Sequence, residues 1–322
     1  MKDFTGRIAV ITGGGTGMGR ELARQLVAEG CHVAMCDVSA ANMAQTKALC
    51  EKEAAQGTRV MTFVADVSDE AAVQRFRDAV AKDLDTDKIH LLFNNAGIGG
   101  GGSFVTGERK EWEKTFNVCW NGVYFSTRAF MPMLLAADEG HIVNTSSING
   151  FWASLGPQVS HTAYPAAKFA VKGFTEALIT DLRLNAPHVK CSVVMPGHIG
   201  TEIVANSRKV LSGNESDTLD EGALAQARKG LAARGLPADS MSDDEIRALS
   251  AEIARRFRDD APTTAAQAAK IILDGVKAER WRILVGPDAD IIDELVRAAP
   301  EEAYEQAFFQ RLAERAHWQL GG

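Results

Sequence analysis

The chain has 322 residues, of which 46% are hydrophobic and 24% are charged, and its formal net charge is −7 at pH 7. This composition is typical of a globular protein with enough apolar side chains for a large core. A negative net charge gives no electrostatic reason to expect a nucleic acid or an anionic membrane surface as a partner, and we expect neither.

We predict neither an export signal nor a membrane span. The first apolar run is short and glycines follow it at once, whereas a signal peptide has a basic start, a sustained apolar stretch and a cleavage site. No stretch approaches the roughly 20 apolar residues of a membrane span. The five cysteines include no C-x-x-C pair. Reduced thiols, a cytoplasmic location and no bound metal are the simplest expectation.

Short apolar runs alternate with amphipathic stretches along the chain. We predict seven strands, at residues 7–12, 32–36, 60–64, 89–93, 141–145, 190–195 and 282–285. One helix is predicted over 17–30, and Ser68 is expected to cap another whose buried stripe is Val73, Phe76 and Val80. Short apolar strands separated by helices indicate an α/β fold with a mostly parallel, doubly wound, seven-stranded sheet covered by helices on both faces.

Two regions lie outside this alternation. Residues 212–260 are polar, contain no predicted strand and are expected to hold one or two short helices, such as 243–257. After Pro287 the sequence has an amphipathic pattern. Pro300 separates one apolar stripe (Ile291, Leu295 and Val296) from another (Tyr304, Phe308 and Leu312).

A glycine-rich segment, TGGGTGMG at 12–19, joins the first predicted strand to the first predicted helix. Glycines allow the backbone to turn tightly and to approach a pyrophosphate closely. The start of the helix offers unpaired N–H groups and positive dipole charge to an anion. The spacing is G-x-x-x-G-x-G rather than the G-x-G-x-x-G of other dinucleotide binders. In this position the segment predicts a dinucleotide site, although a structural turn is the plainer alternative.

Asp37 ends the second predicted strand. An acidic side chain there can accept hydrogen bonds from an adenosine ribose and would repel a 2′-phosphate. Its neighbours Cys36 and Val38, and Thr16 in the glycine-rich segment, carry no positive charge. Alone, such an aspartate is more commonly just solvated, but with the glycine-rich segment upstream it predicts NAD rather than NADP.

The motifs together resemble those of the short-chain dehydrogenases/reductases. The resemblance covers most of residues 4–201 and continues more weakly to Val285. The matching pieces are residues 12–19, Asp66-Val67, Asn94-Asn95-Ala96-Gly97, Ser147, Tyr164-x-x-x-Lys168 and Pro196-Gly197-x-Ile199-x-Thr201. Each piece is short, but their joint order is very specific. The resemblance implies a Rossmann-type fold and NAD-dependent hydride transfer between the nicotinamide and a secondary alcohol or ketone.

The resemblance also implies three catalytic residues. Tyr164 would be the general acid/base, Lys168 would bond the nicotinamide ribose, and Ser147 would orient the substrate oxygen. A tyrosine with an ordinary pKa of about 10 is a poor base at neutral pH. A nearby ammonium lowers that pKa, and Lys168 lies on the same face of a helix at i+4. Y-x-x-x-K alone is commonly just surface spacing, but the Ser147 segment shortly before it favours function.

The implied cofactor contacts follow the dinucleotide from its pyrophosphate to its nicotinamide. They are Gly13, Gly15, Thr16, Gly17, Met18 and Gly19 at the pyrophosphate, Asp37 and Val38 at the adenosine, Asp66 and Val67 at the adenine, Asn94, Asn95, Ala96 and Gly97 at the pocket wall, and Tyr164, Lys168, Pro196, Gly197, Ile199 and Thr201 near the nicotinamide. Asn94 and Asn95 also fit plain turn chemistry, and in this family they stabilise the sheet as well.

Three departures from the family pattern bear on the substrate. Cys119 stands where an asparagine commonly holds a water of the proton relay. The gap between Ser147 and Tyr164 is long, and its extra residues fall within 151–161. That segment includes His161, which could contact substrate but for which we favour a position facing water. The third departure is a long stretch over 202–262, which we interpret as a substrate lid.

The predicted substrate contacts are Ser147, Phe151, Trp152, Tyr164 and His198. Phe151 and Trp152 hint at an apolar or aromatic alcohol, although aromatic side chains also serve as plain packing. We expect one Rossmann-type catalytic domain over 1–322, with the lid at 202–262 and a helical extension at 288–322.

The family is commonly dimeric or tetrameric, so we expect a homodimer or homotetramer, with helices around 111–135 and 164–184 at interfaces. Two alternatives stay open. One is a catalytically inactive NAD-binding regulator, for which Cys119 is the only support. The other is an epimerase or dehydratase that uses NAD transiently, although such relatives usually have another glycine pattern and a larger C-terminal domain.

Overall fold

The computed structural model describes residues 1–157, 159–214, 216, 219–233, 236–316 and 318. Within these residues the strands are β1 (Ile8–Thr12), β2 (His32–Asp37), β3 (Val60–Val64), β4 (Leu91–Asn94), β5 (Gly140–Thr145), β6 (Val189–Pro196), β7 (Ile199–Gly200), β8 (Thr263–Thr264) and β9 (Arg282–Val285).

Seven of these strands form one sheet, in the order β3-β2-β1-β4-β5-β6-β9. Every neighbouring pair in the sheet is parallel, which confirms the predicted fold class. The strand order reverses between β1 and β4. In open α/β sheets the crevice outside the carboxyl ends at such a point is where ligands bind. The fold therefore places the ends of β1, β4 and β5 at a ready-made binding edge.

Helices cover both faces of the sheet. They are α1 (Gly17–Ala28), α2 (Ala40–Glu53), α3 (Glu70–Asp83), α4 (Arg109–Phe116), α5 (Gly122–Leu135), α6 (Ala163–Asn185), α7 (Ile203–Ser212), α8 (Glu221–Ala233), α9 (Asp243–Asp259), α10 (Ala265–Lys277), α11 (Pro287–Ala298) and α12 (Gln306–Ala316). In the part of the chain that the structure describes, no helix is long and apolar enough to cross a membrane.

The core consists of two layers, one on each face of the sheet. On one face α3 and α5 contribute Phe76, Val80 and Phe130, and on the other face α1 and α10 contribute Leu26 and Val276. All five side chains are fully or almost fully buried. Burying one such side chain contributes about 1.5–3 kcal/mol. The stripe predicted on α3 is therefore part of the core.

Two of the differences between predicted and observed element ends are explained by specific hydrogen bonds. Residue 89 was predicted to begin the fourth strand, but its amide donates to the Met133 carbonyl on α5, so the strand begins at Leu91. Ser68 was predicted to cap α3, but the cap is Asp69, whose carboxylate accepts the Ala71 amide. The Ser68 hydroxyl instead donates to the Asp66 carboxylate at 2.7 Å.

The predicted lid lies between β7 and β8, which pair with each other in parallel as a separate two-stranded sheet. Helices α8 and α9 form a small core of their own, which includes Leu224, Leu231 and Ile246. Helix α9 begins with a capping box between Ser242 and Glu245 and covers the predicted helix 243–257. Residues 215, 217, 218, 234 and 235 of the predicted lid lie outside the described residues.

The C-terminal extension packs as two helices, α11 and α12, against the segment that follows β5. Phe308 and Leu312 of the predicted second stripe are fully buried. Tyr304 was predicted to belong to that stripe but is 55% exposed. It lies between the helices, where its hydroxyl accepts the Ala153 amide at 3.2 Å. Residues 317 and 319–322 of the predicted extension lie outside the described residues.

Candidate active site

The glycine-rich segment makes a tight turn at the carboxyl end of β1. Gly13 and Gly17 have φ of +70° and +54°, in the left-handed region that favours glycine. A Cβ atom on Gly13 would lie 2.8 Å from the Ala96 Cα atom, and one on Gly19 would overlap the Gly13 carbonyl oxygen. The turn therefore requires glycine because backbone approaches backbone.

The start of α1 is free to bind an anion. Its N-cap residue, Thr16, makes no capping hydrogen bond through its side chain, and the first turn contains no acidic residue. The first N–H groups of a helix have no partner within the helix, and the helix dipole adds positive charge there. This end of α1 fits the pyrophosphate of a dinucleotide.

Asp37 closes the turn at the end of β2. Its carboxylate accepts the Gly15 amide and the Ser39 amide, each at 3.0 Å. A Cβ atom on Gly15 would lie 2.8 Å from the Asp37 Oδ2 atom, so residue 15 must also be small. A carboxylate has about four acceptor positions, and Asp37 keeps capacity for hydroxyl donors.

Arg20 holds the same turn from α1, and sequence reasoning missed it. Its guanidinium donates to the Gly15 carbonyl at 2.6 Å and to the Thr46 hydroxyl at 2.9 Å. The Thr46 hydroxyl in turn donates to the Gly15 carbonyl at 2.9 Å. Arg20 directly follows the glycine motif, which was the only sequence signal for its role. Nothing in the sequence indicated that Thr46 on α2 lies close enough to bond Arg20.

Asn94 and Asn95 connect the strands that meet at this edge. The buried Asn94 amide donates to Thr127 on α5 and to Asn144 on β5, at 2.9 and 2.7 Å. The Asn95 amide donates to the Thr12 and Gly13 carbonyls, at 3.2 Å each. Both side chains therefore stabilise the sheet and the turn.

Thr12 is a second anchor that sequence reasoning did not single out. Its hydroxyl accepts the backbone amides of Asn95 and Ala96, each at 3.1 Å. The end of β4 is thereby fixed to the end of β1. The only sequence signal was a threonine immediately before the glycines.

Asp66 and Val67, predicted beside the adenine, follow β3. The Asp66 carboxylate accepts the Lys114 ammonium at 2.5 Å and the Ser68 hydroxyl at 2.7 Å. Val67 is 5% exposed and packs against Gly122, where a Cβ atom would lie 2.7 Å from the Val67 Cγ2 atom. These contacts fix the wall of the crevice to α4 and α5.

Ser147, Tyr164 and Lys168 come together beyond the end of β5. Tyr164 and Lys168 lie near the start of α6, and the Lys168 ammonium is 5.3 Å from the centre of the Tyr164 ring. That ammonium donates to the carbonyl of Thr145, the last residue of β5, at 2.8 Å. The Ser147 hydroxyl lies near the Tyr164 phenol. The structure thus brings a hydroxyl, a phenol and an ammonium into one small region.

The electrostatics of this region differ from the sequence expectation. Burial raises the pKa of Tyr164 above its ordinary value of 10, nearby Cys119 acts in the same direction, and the hydrogen bond with Ser147 opposes both. Burial also lowers the pKa of Lys168. We expected the ammonium to lower the pKa of Tyr164, but it bonds the Thr145 carbonyl, and desolvation dominates for the phenol.

Cys119 reaches the same region from a π-helical turn, Asn117–Asn121, between α4 and α5. The thiol is fully buried and donates to the Ile98 carbonyl at 3.2 Å. A Cβ atom on Gly97 would lie 3.4 Å from the Lys168 ammonium and 3.7 Å from the Cys119 Sγ atom. Single π-turns inside helices are frequent at functional sites. The residue at the family's asparagine position therefore does face the site.

Trp152, predicted to contact substrate, is instead fully buried under the C-terminal extension. Its indole N–H donates to the Ala303 carbonyl at 2.8 Å, and its ring packs 5.5 Å from the Phe308 ring. The structure assigns Trp152 to packing rather than to the substrate cleft. The sequence could not show this, because the covering helix lies more than 150 residues further along the chain.

Phe151 and His198, also predicted to contact substrate, have partners in other elements. Phe151 lies under the Arg282 guanidinium, 5.6 Å from its ring centre. The His198 ring is hydrogen-bonded to the Phe257 carbonyl at 2.7 Å and packs on the Phe257 ring. His198 thereby links the loop after β6 to the last turns of α9.

The loop after β6 is fixed by a buried carboxylate that sequence reasoning missed. Asp288, on α11, accepts the His198 amide at 2.6 Å. A Cβ atom on Gly197 would overlap the Asp288 carboxylate, which explains the glycine. Burial raises the pKa of Asp288. In the sequence Asp288 was indistinguishable from an ordinary acidic residue in the first turn of a helix.

The same loop reaches the glycine-rich turn. Ile199 is buried in the core, and the Thr201 methyl lies 3.1 Å from the position of a Cβ atom on Gly17. Gly197 donates its amide to the Val285 carbonyl at 3.0 Å. The predicted nicotinamide residues thus lie at the crevice beside the predicted pyrophosphate residues.

Comparison with curated proteins gives relatives along most of the chain. It is 34% identical over 297 residues to a Mycobacterium tuberculosis protein named as an oxidoreductase, SadH, and the match covers 92% of each chain. It is 34% identical over 212 residues to levodione reductase of Leifsonia aquatica, covering 65% of this chain and 75% of that one.

Solved structures show the same likeness. A short chain dehydrogenase/reductase from Burkholderia phymatum in complex with NAD matches with a TM-score of 0.73 and 30% identity, covering 94% of this chain and 95% of that one. A metagenomic short-chain oxidoreductase in complex with NADP matches with a TM-score of 0.53 and 29% identity, over 60% of this chain and 83% of that one.

The sequence pattern of one family matches the region that contains every strand from β1 to β7. That family is described as short chain dehydrogenase, and the match spans residues 7–212. Together with the parallel sheet and the relatives above, the match shows that the chain belongs to the short-chain dehydrogenases/reductases, a family of Rossmann-fold oxidoreductases.

Proposed function

We propose that the protein is an NAD-dependent dehydrogenase/reductase that interconverts a secondary alcohol and a ketone. The observation that carries the proposal is the position of Ser147, Tyr164 and Lys168 beside the glycine-rich turn. A phenol and a hydroxyl that lie close together can bind the same substrate oxygen. The ammonium lies 5.3 Å from that phenol ring.

We assign the proton transfer to Tyr164. Its phenol would donate a proton to the ketone oxygen during reduction, or accept the hydroxyl proton during oxidation. Ser147 would hold that oxygen in place. Lys168 would bond the nicotinamide ribose and place positive charge near the phenol. Bound NAD supplies the hydride chemistry that these side chains cannot perform.

The cofactor contacts are carried over from the sequence as a proposal. The free start of α1 would hold the pyrophosphate, Asp37 and Val38 the adenosine, and the loop from Pro196 to Thr201 the nicotinamide. What supports this set is the backbone turn that only glycine can form and the uncapped, acid-free first turn of α1.

We propose NAD rather than NADP because of Asp37, although solved relatives include complexes with each. A carboxylate at the ribose would repel a 2′-phosphate. The test is the ratio of kcat/KM values for the two cofactors, in the wild type and in Asp37→Asn. We expect the wild type to favour NAD at least about tenfold, roughly 1.4 kcal/mol, and the variant to lose most of that preference. Equal efficiencies in the wild type would refute the role of Asp37.

For the substrate, we propose a secondary alcohol or ketone that carries apolar or aromatic groups. The name of levodione reductase supports a ketone as the oxidised partner. Trp152 no longer supports this proposal, since it packs against the C-terminal extension. Phe151 and His198 remain candidates only at the border of the cleft.

The first experiment is NADH formation at 340 nm over a panel of aliphatic, aromatic and steroid secondary alcohols, with Tyr164→Phe as the control. We expect turnover with at least one class and a loss of about 10²–10⁴-fold in the variant, the usual contribution of a general acid/base. Turnover that persists in Tyr164→Phe would contradict the assigned role.

The panel also tests the two alternatives. The buried thiol of Cys119 at the asparagine position favours an inactive NAD-binding regulator, and NAD binding without turnover of any alcohol would support it. An epimerase or dehydratase would convert substrate without net NADH formation. Product analysis by mass spectrometry distinguishes that outcome from inactivity.

We further propose that each chain forms one catalytic domain. The protein would be a cytoplasmic homodimer or homotetramer of such chains. All five cysteines are buried and unpaired, which suits a reducing compartment. Tyr124 on α5 and Phe169 on α6 are 41% and 42% exposed, so these helices offer aromatic side chains to a second copy. Light scattering at micromolar concentration tests the assembly, and a monomer would contradict it.

A further inference from the structure

His161 lies in the long segment between Ser147 and Tyr164 and stacks on the proposed acid/base. Its imidazole and the Tyr164 ring have centres 5.2 Å apart and planes inclined by 27°. The side chain is partly buried. The sequence favoured a histidine facing water, but the structure places it against the phenol that the proposed reaction uses.

The backbone around His161 is held firmly. The amides of Thr162 and Ala163 donate to the carbonyls of Gly102 and Gly101, each at 3.1 Å. The Thr162 hydroxyl donates to the Gly102 carbonyl at 2.8 Å. It also accepts the Trp112 indole N–H at 3.1 Å. These bonds hold the backbone that follows His161 against the glycine stretch 99–102.

Among the residues that the structure describes, no protein group is hydrogen-bonded to either ring nitrogen of the partly buried His161. Burial lowers the pKa of His161 to about 4, so the ring is neutral at pH 7. A neutral imidazole offers one donor and one acceptor, and both are available to a ligand.

We propose that His161 is a substrate-recognition residue that hydrogen-bonds a second, uncharged oxygen of the substrate close to the reacting carbon. This rests on the proposed function, because the first oxygen is the one bound by Tyr164 and Ser147. The imidazole centre lies 5.2 Å from the Tyr164 ring centre. The second oxygen would therefore be carried by a carbon next to the reacting one. The preferred class is therefore alcohols or ketones with an adjacent hydroxyl or carbonyl group, such as vicinal diols and hydroxy ketones. A carboxylate is not preferred, because the neutral ring supplies no opposite charge.

The test compares cyclohexanol with cis-cyclohexane-1,2-diol, which differ by one hydroxyl. The measured quantity is the ratio of kcat/KM values, diol over monoalcohol, with NAD. His161→Phe keeps an aromatic ring for the stack but has no nitrogen, and we expect it to lower the ratio about three- to tenfold, the effect of one neutral hydrogen bond. His161→Gln keeps a donor and an acceptor and should retain part of the preference. A purely structural role would instead lower both kcat/KM values equally and leave the ratio unchanged.

A binding measurement separates this proposal from the proposed function. Calorimetry measures the affinity of both compounds for the NADH complex of Tyr164→Phe, and of the same variant with His161→Phe added. Tighter binding of the diol that disappears in the double variant supports the role of His161, even if the wild type turns over neither compound. Equal or absent binding of the two compounds to Tyr164→Phe, or a ratio unaffected by His161→Phe, would overturn it.

Discussion

Two sides of the crevice are built in different ways. On the proposed cofactor side (residues 12–19, 37 and 94–97), backbone groups and short side chains of neighbouring strands bond one another, and Thr12 for example accepts the amides of Asn95 and Ala96. On the substrate side (residues 147–164), the chain is held by distant segments. Trp152 is covered by α12, and Thr162 bonds the stretch 99–102.

Because of this difference, substitutions on the two sides should affect different measured properties. A change on the cofactor side meets rigid backbone and should act first on dinucleotide binding. A change under the substrate side removes packing and should act first on the free energy of unfolding. The four predictions below sharpen or break that distinction.

The largest effect on NADH binding is expected for Gly19→Ala. The new methyl would overlap the Gly13 carbonyl oxygen and lie 2.7 Å from the Asn95 Nδ2 atom, so the turn must move. We expect NADH affinity to fall about 100-fold or more, roughly 2.7 kcal/mol, as measured by calorimetry. Gly230→Ala is the control, because a Cβ atom there meets nothing within 4 Å. Unchanged NADH affinity in Gly19→Ala would contradict the assigned phosphate site.

Phe308→Ala tests the substrate side. Phe308 is fully buried against Trp152, so its removal leaves a cavity and should lower the free energy of unfolding by about 3–5 kcal/mol. Urea unfolding followed by circular dichroism measures the change. The partly buried neighbour Phe309 is the matched control, and Phe309→Ala should cost clearly less. A large loss of NADH affinity in the folded Phe308→Ala protein would break the distinction between the two sides.

Lower pH should destabilise the sheet away from the crevice through His141. The Ser192 hydroxyl donates to the Arg280 carbonyl, so it accepts the His141 Nε2–H. The His141 Nδ1 atom is buried without a partner among the described residues. Burial lowers the pKa of His141 from 6.5 to about 4, so between those values the unfolded chain binds more protons and stability falls with falling pH.

The expected loss on the way from pH 6.5 to pH 4 is about 1–3 kcal/mol, and none of it is expected above pH 6.5. Urea unfolding at several pH values measures it as the difference between the wild type and His141→Gln, which cannot titrate. Parallel pH profiles of the two proteins would show that His141 contributes nothing.

The smallest effect is expected for Asp288, which joins the C-terminal extension to the loop after β6, the proposed nicotinamide site. Asp288→Ala removes the acceptor of the His198 amide and should weaken NADH binding about five- to tenfold, the effect of one typical hydrogen bond. Asp288→Asn keeps an acceptor and should retain most of the affinity. If Asp288→Ala lowers the free energy of unfolding but leaves NADH affinity unchanged, the C-terminal extension does not influence cofactor binding.

The sequence by itself determined the parts that depend on local chemistry. The alternation of apolar runs predicted all seven strands of the main sheet, since a strand buried on both faces must be apolar throughout. The glycine spacing predicted a turn that only glycine can form. The i, i+4 spacing placed Tyr164 and Lys168 on one face of α6. Whether these residues perform the assigned chemistry stays a prediction.

Only the tertiary structure decided what depends on contacts between distant segments. It shows that Trp152 packs under the C-terminal extension rather than lining the substrate cleft, and that His161 stacks on the Tyr164 ring. It also shows that Arg20 holds the glycine-rich turn and that Asp288 holds the loop after β6. A sequence pattern reports whether a residue faces inward on its own element. It does not report which other element covers that residue, because the partner is chosen by the packing of the whole chain.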